Sequence, residues 1–450
     1  MKSQQKIKKT LSPVQVIIFG YFLIILLGGL LLMLPISSVN GEFTPFTEAV
    51  FTSTSATCVT GLVVHDTYTY WSGFGQAVIL LLIQVGGLGF ISMAVMVAML
   101  AGKKINIKQR IWVKEAFALS HTGGVIRLTR FVILATIFFE GLGTILLSIK
   151  FIPEFGFWRG LYFSFFHAIS AFCNAGFDLM GKVEPFSSLT GYYDNAYVSL
   201  IICTLIIIGG LGFIVWHDLS KNKHHFKKYS LQSKVVIITT TVLLFGGTIF
   251  IFVIEANGVA FAESSLSEKW LQSFFHSVTT RTAGFNTVNL NELTGQTLFL
   301  TIVLMLIGGS PGSTAGGFKT STLAICITSI LSVGHKKHSV EFFGRRLNED
   351  ILRRAISIVS MYLLLFVLSS IIISSIEQME ILPVMFECAS AIGTVGLSMG
   401  ITTELGLVSK YIIIFLMYFG RVGALTMLYA LADHGVETSS RLPFENIAVG

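Results

Sequence analysis

Phe386-Glu387-Cys388-Ala389-Ser390-Ala391-Ile392-Gly393-Thr394-Val395-Gly396-Leu397 is one of four related stretches in this chain. The first is Phe51-Thr52-Ser53-Thr54-Ser55-Ala56-Thr57-Cys58-Val59-Thr60-Gly61-Leu62. The second is Phe166-His167-Ala168-Ile169-Ser170-Ala171-Phe172-Cys173-Asn174-Ala175-Gly176-Phe177, and the third is Phe275-His276-Ser277-Val278-Thr279-Thr280-Arg281-Thr282-Ala283-Gly284-Phe285. Three copies set Phe ten residues before the last glycine and Ser six before it; the third is one residue shorter. The glycines Gly61, Gly176, Gly284 and Gly396 are 115, 108 and 112 residues apart. A near-constant period along the whole chain marks an internal repeat. The units run 1–115, 116–230, 231–345 and 346–450.

A second motif keeps the same phase. Gly86-Gly87-Leu88-Gly89-Phe90 follows the first stretch and Gly209-Gly210-Leu211-Gly212-Phe213 the second. Gly308-Gly309 and Gly420-Arg421-Val422-Gly423 follow the third and fourth.

The surroundings of the repeats are apolar. The chain is 53% hydrophobic and 12% charged, against about 25% charged residues in a soluble domain. Eight segments are long enough to cross a bilayer: 14–35, 73–101, 131–149, 197–216, 235–254, 297–331, 355–376 and 411–432. The first is too long for a signal-peptide core and is read as a transmembrane helix. Of the 31 Lys and Arg residues, 23 lie on the side of the two termini, beginning with Lys2, Lys6, Lys8 and Lys9. The positive-inside rule then places both termini in the cytoplasm of a multi-pass plasma-membrane protein. On the other side lie 15 of the 24 acidic residues, an excess that concentrates cations. The basic residues form short clusters between apolar runs, so the net charge of +7 reflects membrane orientation and not nucleic-acid binding. Cys58, Cys173, Cys203, Cys326 and Cys388 form no CxxC pair and read as packed hydrophobes.

Each repeated stretch is too short to span, so it enters the membrane and turns back where protein or water surrounds it. The unit is therefore M1, re-entrant pore helix, glycine turn, M2. The expected fold is all-α and integral to the membrane, with eight transmembrane and four pore helices in pseudo-fourfold array. A helix C-terminus favours a cation. A glycine beyond it lets the backbone aim carbonyls at an axis, where they replace the hydration shell of an ion. Residue types alone specify a monovalent cation. No catalytic constellation, nucleotide fold or metal spacing is present, so the chain reads as no enzyme and as holding no cofactor of its own.

These segments resemble the filters of the Trk/Ktr/HKT potassium transporter superfamily, and the chain is most similar to the bacterial Ktr membrane subunit, the KtrB type. The two extra N-terminal spans of Trk-type subunits are absent. The resemblance implies a K⁺ filter at Val59, Thr60, Gly61, Asn174, Ala175, Gly176, Thr282, Ala283, Gly284, Thr394, Val395 and Gly396, with K⁺ as the transported ion. It leaves Na⁺ dependence open. It also implies a homodimer, to which 433–450 contributes, on a cytoplasmic RCK/KTN ring of the KtrA type that binds the nucleotide. The 332–346 loop, with Lys336, Lys337, Arg345 and Arg346, is a candidate contact for it.

The sixth span is interrupted by Gly308, Gly309, Ser310, Pro311, Gly312, Ser313, Thr314, Ala315, Gly316 and Gly317, followed by Lys319. This composition cannot sustain a helix. Such backbone lines a cavity or is covered by protein. The resemblance implies that it is the gate; the alternative is a packing kink. Arg421, inside an apolar span, is costly there and usually functional or paired. The resemblance places it at the pore beside the loop as an electrostatic barrier; the alternative is an ion pair with Glu140. His167 and His276 read as packed pore-helix residues. His217, His224 and His225 belong to a solvated basic loop. Two rivals stay open: a broken-helix carrier coupling Na⁺ to an organic solute, and a membrane anchor for a cytoplasmic complex.

Overall fold

The computed structural model describes residues 12–100, 105–116, 123–337, 339–431 and 445. Lys2, Lys6, Lys8 and Lys9 and, apart from Glu445, the 433–450 tail lie outside the described residues.

The protein is mostly helical, and one series of helices recurs. The first unit holds α1 (Pro13–Leu32), α2 (Phe46–Thr57), α3 (Gly73–Leu88) and α4 (Phe90–Leu100), and α5 (Ile107–Ala116) leads to the next. The second holds α6 (Val125–Phe155), α7 (Phe157–Phe172), α8 (Ala196–Leu211) and α9 (Phe213–Asn222). The third holds α10 (Leu231–Glu255), α11 (Leu266–Thr279), α12 (Gly295–Leu306) and α13 (Thr320–Gly334). The fourth holds α14 (Glu349–Glu377), α15 (Ile381–Gly393), α16 (Leu407–Val422) and α17 (Ala424–Leu431). A short hairpin, Glu341–Phe342 paired with Arg345–Arg346, joins the last two units.

Among the described residues, α1, α6, α10 and α14 are long and apolar enough to cross a membrane alone. The other expected spans are not continuous. The 73–101 segment bends by 97° between α3 and α4, and the 197–216 segment by 96° between α8 and α9. The 411–432 segment breaks between α16 and α17. The cause is the last glycine of the second motif: Gly89, Gly212 and Gly423 take φ of 79°, 93° and 90°, a backbone that a helix cannot contain. The first glycine of that motif has a different task. A Cβ on Gly86, Gly209 or Gly420 would overlap the carbonyl of Thr57, Phe172 or Ile392. In the first, second and fourth units the second long helix of the pair therefore lies directly against the C-terminus of the short helix before it, whereas Gly308 in the third meets the Gly316 carbonyl of the loop.

Local chemistry supports the helices. Ser12 caps α1 in a reciprocal box with Gln15, and Ser265 caps α11 with Glu268. The M1 helices pack on the pore helices through small residues. Ser53 of α2 donates to the Ile25 carbonyl at 2.7 Å, and Ser277 of α11 donates to the Leu244 carbonyl at 2.8 Å. Opposite them, a Cβ on Gly28 or Gly247 would come within 2.5 Å of the same serine oxygens.

Three M1 helices end on a glutamate that ties down the chain beginning M2. Tyr192 donates to Glu154 at 2.8 Å. The Thr294 amide and hydroxyl donate to Glu255 at 2.9 and 2.7 Å. The Gly406 amide and Ser409 hydroxyl donate to Glu377 at 2.9 and 2.5 Å. Replacing Glu377 by Ala removes two charge-assisted bonds and is expected to destabilise the protein by about 2 kcal/mol. Thermal unfolding of the detergent-solubilised protein measures this; an unchanged midpoint would show that the carboxylate holds nothing.

Candidate functional site

Each pore helix ends one turn before its glycine, and the backbone then repeats one unusual conformation. Val59, Asn174, Thr282 and Thr394 have φ of 51°, 57°, 70° and 52°. Two residues on, Gly61, Gly176, Gly284 and Gly396 have φ of 97°, 70°, 81° and 97°. Asn tolerates the left-handed region, but a β-branched Val or Thr there is strained by about 1–3 kcal/mol. Burial holds them: all four of these residues and Thr60, Ala175, Ala283 and Val395 between them are 0% exposed. The sequence motif showed the need for glycine at the second position and gave no sign of the left-handed residue at the first.

The serine has a side-chain reason in the first and fourth stretches. Ser55 Oγ accepts the Gly61 amide at 3.0 Å, and Ser390 Oγ accepts the Gly396 amide at 3.0 Å. The Ser55, Ser170 and Ser390 carbonyls each accept the amide of Thr60, Ala175 or Val395 at 2.8 Å. In the third stretch Thr279 donates to the Phe285 carbonyl at 2.6 Å instead, in keeping with the missing residue.

The four glycines meet. A Cβ on Gly61 would lie 2.6 Å from the Ala175 carbonyl oxygen, one on Gly176 2.8 Å from that of Ala283, and one on Gly284 2.6 Å from that of Val395. A Cβ on Gly396 would overlap the Thr60 carbonyl, which closes the circuit. All four glycines line one cavity of about 310 Å³, with Asp66, Asp178, Asn286 and Ser398 in its wall.

A second cavity, of about 320 Å³, is lined by Tyr21, Gly89, Pro311, Lys319, Tyr362 and Arg421. The 308–317 loop stands between the two. Its ends are pinned by the Gly308 amide on the Phe318 carbonyl at 2.9 Å. The Ser310 amide donates to the Gly210 carbonyl at 3.0 Å, and the Phe213 amide donates to the Gly312 carbonyl at 2.7 Å. Thr314 Oγ1 is bonded to the Asn174 side-chain oxygen at 3.0 Å, so loop and ring touch. A Cβ on Gly316 would overlap the side chain of Thr394.

Two cations hold the loop carbonyls. Lys319 Nζ donates to the Ala315 and Gly316 carbonyls at 2.8 and 3.1 Å. The Arg421 guanidinium donates to the Thr314 carbonyl, to that of Gly86, and to that of Gly87 at 3.0 Å. Glu140 instead accepts from Gln84 Nε2 at 3.1 Å, and no ion pair with Arg421 forms. Sequence reasoning missed Tyr21 and Tyr362, whose hydroxyls donate to the Gly86 and Gly420 carbonyls at 3.5 and 3.3 Å. They stand 40 residues before Gly61 and 34 before Gly396, out of register with the repeat, so the sequence pattern gave no signal for them. His167 and His276 are buried, with Nδ1 of His167 on the Phe163 carbonyl at 2.8 Å and Nε2 of His276 on Thr301 at 2.9 Å.

Residues 22–438 match the TrkH family, described as cation transport protein. This chain belongs to the TrkH family. It is therefore a membrane transport protein and not an enzyme. It is 42% identical to the potassium/sodium uptake protein NtpJ of Enterococcus hirae, over 99% of both chains. It is 40% identical to the Ktr system potassium uptake protein B of Bacillus subtilis, over 94% of this chain and 93% of that one. The crystal structure of the potassium transporter TrkH from Vibrio parahaemolyticus superposes with a TM-score of 0.71 at 18% identity, over 96% of this chain and 87% of that one. That likeness establishes a TrkH fold, and the 40% relative places the chain with the Ktr membrane subunits.

Proposed function

We propose that this TrkH-family chain takes up potassium through a central pore. In this reading the four units stand in pseudo-fourfold array, and Thr60, Ala175, Ala283 and Val395 turn their carbonyls to the axis together with the glycines that follow them. The observation that carries it is the closed circuit of Gly61, Gly176, Gly284 and Gly396 around one cavity. Four separate glycine turns would have no reason to touch.

The loop 308–317 gates this path, and Arg421 is its electrostatic barrier. Its position between the two cavities supports this, as do the Arg421 and Lys319 bonds to three successive loop carbonyls. Both termini face the cytoplasm. Two copies assemble on a cytoplasmic nucleotide-binding ring of the KtrA type, which supplies regulation.

Rb⁺ uptake by cells lacking their own potassium systems tests the reading; flat uptake from normal membrane levels of the protein would refute it. Gly61→Ser tests the filter. At φ 97°, with the Ala175 oxygen 2.6 Å from any Cβ, a side chain must push the ring apart. K⁺ preference over Na⁺ is expected to fall about tenfold, or about 1.4 kcal/mol of differential binding. An unaltered ratio would remove Gly61 from the filter.

A further inference from the structure

Behind the wall of the outer cavity, which Asp66 and Asp178 line, lies a further carboxylate that the glycine ring does not explain. Glu387 follows Phe386 on α15, and its counterparts after Phe51, Phe166 and Phe275 are Thr52, His167 and His276. All four are buried, at 1%, 1%, 0% and 3% exposure for Glu387, Thr52, His167 and His276. His167 Nε2 takes the Leu179 amide at 3.4 Å, and His276 Nε2 meets Thr301 at 2.9 Å. In these two units the position ties a pore helix to the chain that follows its own filter. Glu387 does the same through the hydroxyl of Thr402, and it alone among the four is a carboxylate.

Among the described residues no Lys, Arg or His pairs with Glu387, and the side chains that reach it are the hydroxyls of Thr402 and Ser398. Burying a carboxylate costs several kcal/mol unless a cation compensates. The hydroxyls beside it form a directed run. The Thr402 hydroxyl donates a hydrogen bond to Glu387. Ser398 Oγ lies 3.1 Å from Thr402 Oγ1 and accepts the Gly400 amide at 2.9 Å. The Ser398 hydroxyl, within reach of both Thr402 and the carboxylate, donates in the same direction. Ser398, Gly400 and Thr402 line the outer cavity together with Gly396. The carboxylate thus draws the hydroxyl protons inward, and the oxygens keep lone pairs for the cavity. Oxygen ligands of this kind replace the water of an alkali cation.

We propose that Glu387 is a specificity-determining positioning residue: through Thr402 and Ser398 it builds a resting position for a partly dehydrated monovalent cation beside Gly396. The passing ion is the charge that compensates the carboxylate. This rests on the filter reading above.

The test is Rb⁺ uptake against Rb⁺ concentration by the full chain in potassium-uptake-deficient cells, with membrane amounts measured. Glu387→Gln keeps the shape, loses the charge and frees the direction of the hydroxyl run. It is expected to raise the half-saturating concentration about tenfold, with the maximal rate per inserted protein nearly unchanged. Glu387→Asp restores part of the shift. His276→Gln, at the equivalent position but bonded to Thr301, keeps the wild-type value. An unshifted Glu387→Gln overturns the proposal, as does an equal shift in His276→Gln, which would make the position a general brace. If Glu387→Gln does not insert, Glu387→Asp carries the test, and an unshifted value there overturns it. Gly61→Ser runs in parallel. If it alters K⁺ preference while Glu387→Gln leaves half-saturation unmoved, only this inference falls. If it leaves preference intact, the filter reading falls.

Discussion

Arg421→Gln raises the initial rate of Rb⁺ uptake about tenfold at equal membrane abundance. A unit charge about 4 Å from a passing cation repels it by about 4 kcal/mol at an effective dielectric of 20. Part of that repulsion is already spent on the carbonyls of Gly86, Gly87 and Thr314, to which the guanidinium donates. A tenfold gain, about 1.4 kcal/mol, is therefore a low expectation. Glutamine is neutral and too short to span three carbonyls on two elements. Its presence leaves the Thr314 oxygen free to face a cation. The loop does not collapse in the variant, because Lys319, Gly210 and Phe213 still hold it. The measurement is uptake in potassium-deficient cells, with protein amount read from the membrane fraction. An unchanged rate would remove the barrier role. A lower rate with less protein would make Arg421 a clamp that the fold requires.

Gly396→Ala abolishes transport, with a loss of more than about a hundredfold, while the protein still inserts. Two effects add. At φ 97° any side chain is strained, by about 1–3 kcal/mol. The new methyl would also overlap the Thr60 carbonyl, and the Gly61 Cα lies 2.9 Å away. The ring must open there, and misplacing ligands by about 1 Å is enough to cost catalysis or selection a hundredfold. Gly41→Ala is the control. Its φ is 71°, but nothing lies within 4 Å of an added Cβ. It bears the backbone strain without touching the ring, and its uptake is expected to stay within about twofold of the unmodified chain. Equal losses in both variants would assign the effect to strain alone and take Gly396 out of the ion path.

The repeat was legible because it rests on short-range requirements. A pore helix too short to span, a serine six residues before a glycine, and a glycine that accepts φ near 97° each fit within a dozen residues. The broken sixth span was legible for the same reason: no helix survives the composition of 308–317. The bends at Gly89, Gly212 and Gly423 were written in the second motif but not recognised. Apolar composition continues through them, and hydropathy is blind to a change of direction. Arg421 could be singled out by its cost in an apolar span, yet its partners could not be named. Two of its three bonds reach α3, more than 300 residues earlier.

Length, hydropathy and the phased glycines by themselves determined a mostly helical membrane protein with a fourfold internal sequence repeat and a non-helical break at 308–317. These are consequences of bilayer thickness and backbone dihedrals, which act on neighbouring residues. Only the tertiary structure decided that Gly61 abuts Ala175, Gly176 abuts Ala283, Gly284 abuts Val395 and Gly396 abuts Thr60. It also decided that Thr314 bonds Asn174 and that, among the described residues, no cation pairs with Glu387. Those pairings join residues from about a hundred to more than three hundred positions apart, or fold a segment back on its own short helix. Steric fit and hydrogen-bond satisfaction in a packed interior select them, and no local pattern encodes which partner a carbonyl or carboxylate will meet.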